Sequence, residues 1–225
     1  MSAGGDGSGL AFEDVRIARD GRLLFALSAR VRPGEVLTVM GPSGSGKSTL
    51  LAYAIGTIDP GFEVTGRVTL DGADLGHLPP QARRMGILFQ DDLLFPHLSV
   101  GGNLAFGLRA EVRGRAARRA AVEAALAEAG LAGMAARDPA TLSGGQRARV
   151  ALMRVLLSRP RALLLDEPFS KLDAALRGQI RSFVFDHART EGLPVLLVTH
   201  DAEDAAAAGG PIFEIPGRAD PPPEG

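Results

Sequence analysis

At 225 residues, with 45% hydrophobic side chains, the chain is long enough for one large α/β domain or two small ones, and too apolar for global disorder. A formal net charge of −1 lacks the broad positive field of a nucleic-acid binder or of a protein held electrostatically to a membrane. The absence of cysteine excludes a disulfide framework and thiolate metal sites, and His77, His97, His187 and His200 are scattered without metal-ligand spacing.

The opening MSAGGDGSG has no basic region followed by an apolar stretch, as a secretory signal would. Residues 1–9 and 218–225, the latter including Pro221-Pro222-Pro223, read as flexible tails around a domain over 10–217. Rough alternation from Leu10 to Ile17, a turn at Asp20-Gly21 and a return from Leu23 to Val31 predict an antiparallel pair. Pro33-Gly34 leads into Val36–Met40, apolar enough for a strand buried on both faces. A glycine-rich loop over 41–46 and a helix starting near Lys47 follow. Arg67–Leu70 and Met85–Phe89 read as short strands, with Asp71-Gly72 as a turn between them. From about 91 to 158 the pattern becomes helical, including an alanine-rich stretch from Arg115 to Ala129, and predicts an inserted helical subdomain. Strands return at Ala162–Leu165 and Pro194–Val198, separated by a helix over about 173–190. Strands alternating with helices imply an α/β fold with a parallel sheet, preceded here by an antiparallel β subdomain. No apolar run approaches the roughly 20 residues needed to span a bilayer.

Gly41-Pro42-Ser43-Gly44-Ser45-Gly46-Lys47-Ser48 fits G-x-x-x-x-G-K-[ST], between a predicted strand and a predicted helix, and Thr49 follows it. Glycines let backbone N–H groups wrap a polyphosphate, and the helix N-terminus adds partial positive charge. The motif assigns Lys47 to the β- and γ-phosphates and the Ser48 hydroxyl to Mg²⁺. Leu163-Leu164-Leu165-Asp166-Glu167 is a buried strand ending in two carboxylates; Asp166 is the candidate for the metal, and Glu167 is placed to polarise an attacking water. Ser143-Gly144-Gly145-Gln146 fits S/T-x-x-E/Q, a helix capping box.

Together with Leu142, that capping box sits just before the strand that ends in Asp166 and Glu167. This arrangement of motifs resembles the ATP-binding cassette, the ATPase of ABC transporters, over roughly residues 10–215. The resemblance implies a P-loop NTPase that hydrolyses ATP with Mg²⁺, in which Ser143, Gly144, Gly145 and Gln146 meet the γ-phosphate held by a second copy in a head-to-tail pair. It makes Gln90 a Q-loop glutamine near the metal and γ-phosphate, and His200 the switch histidine beside Glu167. Asp173, ending Ser170-Lys171-Leu172-Asp173, becomes the D-loop aspartate; the simpler reading of that stretch is a serine cap for the next helix. The family's adenine-stacking aromatic is missing from Arg16–Asp20, which leaves Arg19 or Ile17 to cover the base.

The segment from Asp92 to Val100 is similar to that of bacterial binding-protein-dependent importers, and the chain is most like the short ATPases of thiamine-type importers. This implies transmembrane permease subunits as partners, a periplasmic or lipid-anchored solute-binding protein acting through them, and a peripheral position on the cytoplasmic face of the membrane. Phe95, Pro96 and Leu98 are the candidate contacts for the permease. The alternative is a soluble ABC ATPase acting on nucleic acid or ribosomes. Against it, the spacing between the glycine-rich motifs leaves no room for a long coiled coil. The basic cluster Arg113, Arg115, Arg118 and Arg119 reads as a solvated helix face, so no nucleic-acid partner is expected. A nucleotide sensor without turnover fits poorly with a full set of Lys47, Asp166, Glu167 and His200.

Overall fold

A computed structural model describes residues 7–42 and 44–215, with the side chain of Ala175 excepted. Residues 1–6 and 216–225, most of the expected tails, lie outside the described residues, as does Ser43.

The chain opens with β1 (Leu10–Arg19) and β2 (Arg22–Val31), joined at Asp20 and Gly21. Both turn residues have positive φ, 52° and 70°, as a type I′ hairpin requires. Then come β3 (Val36–Met40), α1 (Lys47–Ile55), β4 (Phe62–Leu70), β5 (Ala73–Asp74), α2 (Pro80–Arg83) and β6 (Met85–Leu88). The helical block holds α3 (Val100–Gly107), α4 (Arg115–Glu128) and α5 (Gly144–Leu157). The chain continues through β7 (Ala162–Asp166), α6 (Ala174–Thr190), β8 (Val195–Thr199), α7 (Ala202–Ala208) and β9 (Ile212–Glu214).

An antiparallel sheet runs β2-β1-β4-β5 and a parallel sheet runs β6-β7-β8-β3-β9. The parallel strands are apolar throughout because each face has its own core. Leu163, Leu165, Val195 and Leu197 face α3–α6, whereas Ala162, Leu164, Leu196 and Val198 face α1 and the antiparallel sheet. One continuous core joins the helical block to the sheet, with Leu104, Leu126 and Leu152 packed in the same cluster as Leu165.

β4 starts five residues earlier than the expected strand at Arg67, because its first half pairs with β1 from Phe62 opposite Arg19 onward. Gly66 disguises it in the sequence. At that point β1 bulges around Asp14 (φ 47°), and a Cβ on Gly66 would lie 2.3 Å from the Asp14 carbonyl oxygen. The expected strand end at Phe89 falls after β6, and β5, α2, α7 and β9 were too short to carry a periodic signal.

Candidate functional site

Parallel strands share one C-terminal edge, and ligands of such sheets bind there. The ends of β6, β7, β8 and β3 lie side by side, with Leu88 opposite Leu165, Asp166 opposite Val198 and Met40 opposite Thr199. Gln90, Asp166 with Glu167, His200 and the Gly41–Thr49 loop therefore meet at one rim, although they are far apart in sequence.

The loop after β3 depends on glycine at particular places. Gly46, the N-cap of α1, has φ 95°, and a Cβ there would lie 3.1 Å from the Phe25 ring. No side chain caps α1, so its first N–H groups stay available to an anion. Lys47 is 5% exposed and donates from Nζ to the carbonyls of Gly41 at 2.7 Å and Pro42 at 2.8 Å, which holds the ammonium at the mouth of the loop. Ser45 Oγ is buried without a hydrogen-bond partner among the described residues. An orphaned hydroxyl costs about 1–3 kcal/mol, and a phosphate oxygen would relieve it.

Ser48 Oγ donates to Asp166 Oδ1 at 3.3 Å. Burial pushes the Asp166 carboxyl above the usual range, against the pull of the Ser48 hydrogen bond; Glu167 raises it further and Lys47 lowers it. A half-buried carboxylate and a hydroxyl beside a phosphate site are the oxygen donors that suit a small hard cation. Among the described residues no cluster of three or more acidic or histidine side chains forms a self-sufficient metal cage.

Glu167 takes φ 46°, a left-handed conformation costing a non-glycine residue about 1–2 kcal/mol. The backbone is pinned there. Glu167 N donates to Val198 O at 2.9 Å, and the Ser170 hydroxyl donates to Glu167 O at 2.9 Å. The turn aims the carboxylate at His200, whose Nδ1 is 3.1 Å from Glu167 Oε1. The strand end behind His200 is fixed by α7: Asp201 caps that helix through the Glu203 and Asp204 amides and pairs with Arg177 at 2.6 Å, while Arg181 pairs with buried Asp204 at 2.9 Å. Thr199 Oγ1 donates to Asp204 and accepts from Asp201 N. These supports carry no motif and escape sequence reading.

A cleft of about 560 Å³ unites Gly44, Gly46, Lys47, Ser48, Thr49, Gln90, Asp166 and Glu167. It also contains Arg19, Leu24 and Phe62 from the antiparallel sheet. Of the two residues expected to cover a base, Arg19 reaches this cleft. Ile17 is 0% exposed, buried in the core beneath the sheet, and that expectation is corrected.

Ser143, Gly144, Gly145 and Gln146 do not line the cleft. The capping box forms in full, with Gln146 N donating to Ser143 Oγ and Ser143 N donating to Gln146 Oε1. The glycines differ. A Cβ on Gly145 would lie 2.1 Å from Leu176 Cδ2, so Gly145 lets α5 pack on α6. A Cβ on Gly144 would meet only the end of Arg147, at 3.8 Å. Asp173, not Ser170, caps α6 by accepting from Leu176 N at 3.0 Å, which corrects the expected serine cap.

A separate groove of about 620 Å³ opens beside the helical block, lined by Leu93, Phe95, Phe106, Leu108, Arg154 and neighbours. Phe106 is 68% exposed and packs edge-on against Phe95, and the Arg154 guanidinium lies over the Phe95 ring. Arg154 also donates to the carbonyls of Asp92 and Leu93, tying the groove to the segment after Gln90. Buried Asn103 holds Phe95 through both its backbone groups. Of the expected contacts, Phe95 lines this groove. Pro96 faces a neighbouring groove with Gln90, Gly144 and Lys171, and Leu98 lies against Gly102, because the turn from Phe95 to Leu98 points them apart. In the basic cluster Arg118 is tied to the Ala105 and Val112 carbonyls, while Arg113, Arg115 and Arg119 are exposed. No helix among the described residues is long and apolar enough to cross a membrane.

Comparison with known proteins gives a match to the ABC transporter family model over residues 24–170. The chain is 52% identical over 188 residues to an uncharacterized ABC transporter ATP-binding protein of Escherichia coli, covering 84% of this chain and 86% of the relative. It is 43% identical over 210 residues to a thiamine import ATP-binding protein of Cereibacter sphaeroides, covering 93% and 90%. Against a spermidine/putrescine import ATP-binding protein of Frankia alni the identity is 44% over 209 residues, covering 89% of this chain but 44% of that longer relative.

Proposed function

Since the chain belongs to the ABC transporter family and is an ATP-binding, ATP-hydrolysing subunit, we propose that it pairs head to tail with a second copy to power solute import. In this reading the 10–217 segment works as one ATPase domain with a helical subdomain over about 91–158. The Gly41–Thr49 loop of each copy holds Mg-ATP, and the Ser143–Gln146 turn of the other copy closes over the γ-phosphate.

The observation that carries the reading is the division of the site. The cleft around Lys47 holds Ser48, Gln90, Asp166 and Glu167 but not the Ser143–Gln146 turn, and Gly144 lies along a neighbouring groove with Pro96 and Lys171. A site so divided is complete only when a second surface brings that turn to the phosphate.

Ser48, Asp166 and Gln90 are the residues that would hold Mg²⁺, whose chemistry is to neutralise charge between the phosphates. Lys47 neutralises the transferring phosphoryl group. Glu167 takes hydrogen bonds from the attacking water and aligns it, and His200 holds Glu167 in register. Asp173, as the cap of α6, keeps the Ser170–Asp173 turn in place at the pair's interface. The exposed apolar groove with Phe95 and Phe106 suits an apolar helix of a membrane permease. That contact places the protein peripherally on the cytoplasmic face, with a solute-binding protein acting through the permease. The two import relatives, whose names specify thiamine and spermidine/putrescine, support import of a small solute.

Glu167→Gln tests the pairing. It should slow phosphate release by about 10²- to 10⁴-fold and, by size-exclusion chromatography with light scattering, accumulate as an Mg-ATP-bound dimer. A monomer at saturating Mg-ATP would contradict the paired site.

A further inference from the structure

The cleft has two unlike ends. One carries Lys47, Ser48, Gln90, Asp166 and Glu167, which suit phosphate, metal and water. The other carries Leu24, Arg19 and Phe62, and Phe62 is the only aromatic among the described lining residues. The local chain puts it there. After α1 ends, Asp59 accepts from Gly61 N at its side chain and from Phe62 N at its carbonyl, which turns the chain so that β4 begins at Phe62. Pairing with β1 then sets Phe62 opposite Arg19, the residue before the Asp20-Gly21 turn. The Arg19 guanidinium sits 5.2 Å from the Phe62 ring centroid, a cation–π contact that steadies the ring at the cleft wall.

Phe62 packs in part against the core beneath the antiparallel sheet, and the rest of it is left to the cleft. Phe62 is half-buried and Arg19 exposed, and both line the space that continues from the phosphate end. A nucleotide has the matching halves, a charged polyphosphate and a planar base. We propose that Phe62, steadied by Arg19, is the platform on which the nucleotide base stacks, supplied by β4 instead of by the end of β1. This rests on the reading of the Gly41–Thr49 loop as the phosphate site. Every base has a π-face, so the platform binds adenine and guanine nucleotides by the same contact.

Calorimetric titration of the full chain with Mg-ATP, Mg-GTP and inorganic tripolyphosphate separates base from phosphate binding. Phe62→Ala should weaken both nucleotides by about 5- to 150-fold, the range of base–aromatic stacking. It should leave tripolyphosphate affinity unchanged, which also shows that the loop remains folded. Phe62→Tyr should restore nucleotide affinity. Lys47→Ala should weaken all three ligands. Unchanged nucleotide affinity in Phe62→Ala, beside a loss in Lys47→Ala, overturns the platform and leaves the phosphate site standing. Equal loss of tripolyphosphate in Phe62→Ala, or no recovery in Phe62→Tyr, also overturns it. Full binding of all three ligands by Lys47→Ala overturns the phosphate site itself.

Discussion

Two helices of this protein begin at glycine-rich turns, and they begin differently. α1 starts at Gly46, whose left-handed backbone provides no side-chain cap, and its first residues line the cleft. α5 starts at Ser143, where the capping box with Gln146 already satisfies part of its terminus. Around α1 the chain supplies Lys47, Asp166, Glu167 and Gln90 within one cleft. Around α5 only Gln90 shares a groove with Gly144, and Lys47, Asp166 and Glu167 are not in it. The first helix end is built to hold an anion by itself. The second is capped as it stands, and in the proposed pair its groove is where the ligand of the other copy would arrive.

The neighbouring glycines sharpen this comparison most. Gly145→Ala sets a methyl group against Leu176 and should cost about 1–3 kcal/mol, read as a lower denaturation midpoint. Gly144→Ala meets only the end of Arg147, in ordinary contact, at a helical position, and should leave stability unchanged or raise it by up to about 1 kcal/mol, while lowering ATP turnover. A Gly144→Ala protein that is as destabilised as Gly145→Ala would mean that both glycines serve only packing.

A smaller effect separates the helices by pH. Burial raises the Asp166 carboxyl, so it takes up a proton at a higher pH than an ordinary aspartate as pH falls. Protonation would remove the proposed Mg²⁺ ligand, so Mg²⁺-dependent nucleotide affinity should fall as pH drops through that raised value. The sign for folding is opposite. A carboxyl whose folded pKa is raised binds more protons folded than unfolded, so its burial cost at neutral pH is relieved by acid. Asp166→Asn should flatten the pH dependence of Mg²⁺-dependent binding, measured by titration from neutral to acidic pH. An unchanged slope would assign the dependence to another group.

Much of this was legible because the chemistry of each motif sits at a strand end. Gly41–Ser48 and Asp166-Glu167 follow runs too apolar for anything but a buried parallel strand, and parallel strands end on one rim. The capping box of Ser143 and Gln146 was equally plain, since its partners are local in sequence. Phe62 was not legible, because Gly66 hides the strand that carries it and only pairing with β1 brings it opposite Arg19. Ile17 was misplaced for the converse reason: strand alternation says that it faces one side, but only the assembled sheet shows that side to be core. Asn103, Arg154 and the Arg181–Asp204 pair act through tertiary contacts that leave no local pattern.

The division of the site between copies is tested most directly by mixing two defective proteins. Lys47→Ala loses the phosphate loop but keeps its α5 turn; Gly144→Asp keeps the loop but sets a carboxylate where the phosphate of the other copy must approach. Each alone should release little phosphate from Mg-ATP. In a mixed head-to-tail pair, one site combines the intact loop of one chain with the intact turn of the other. The account therefore predicts that mixing restores phosphate release, rising with the fraction of mixed pairs. Two inactive proteins that stay inactive when mixed, or a Gly144→Asp protein fully active alone, would contradict it.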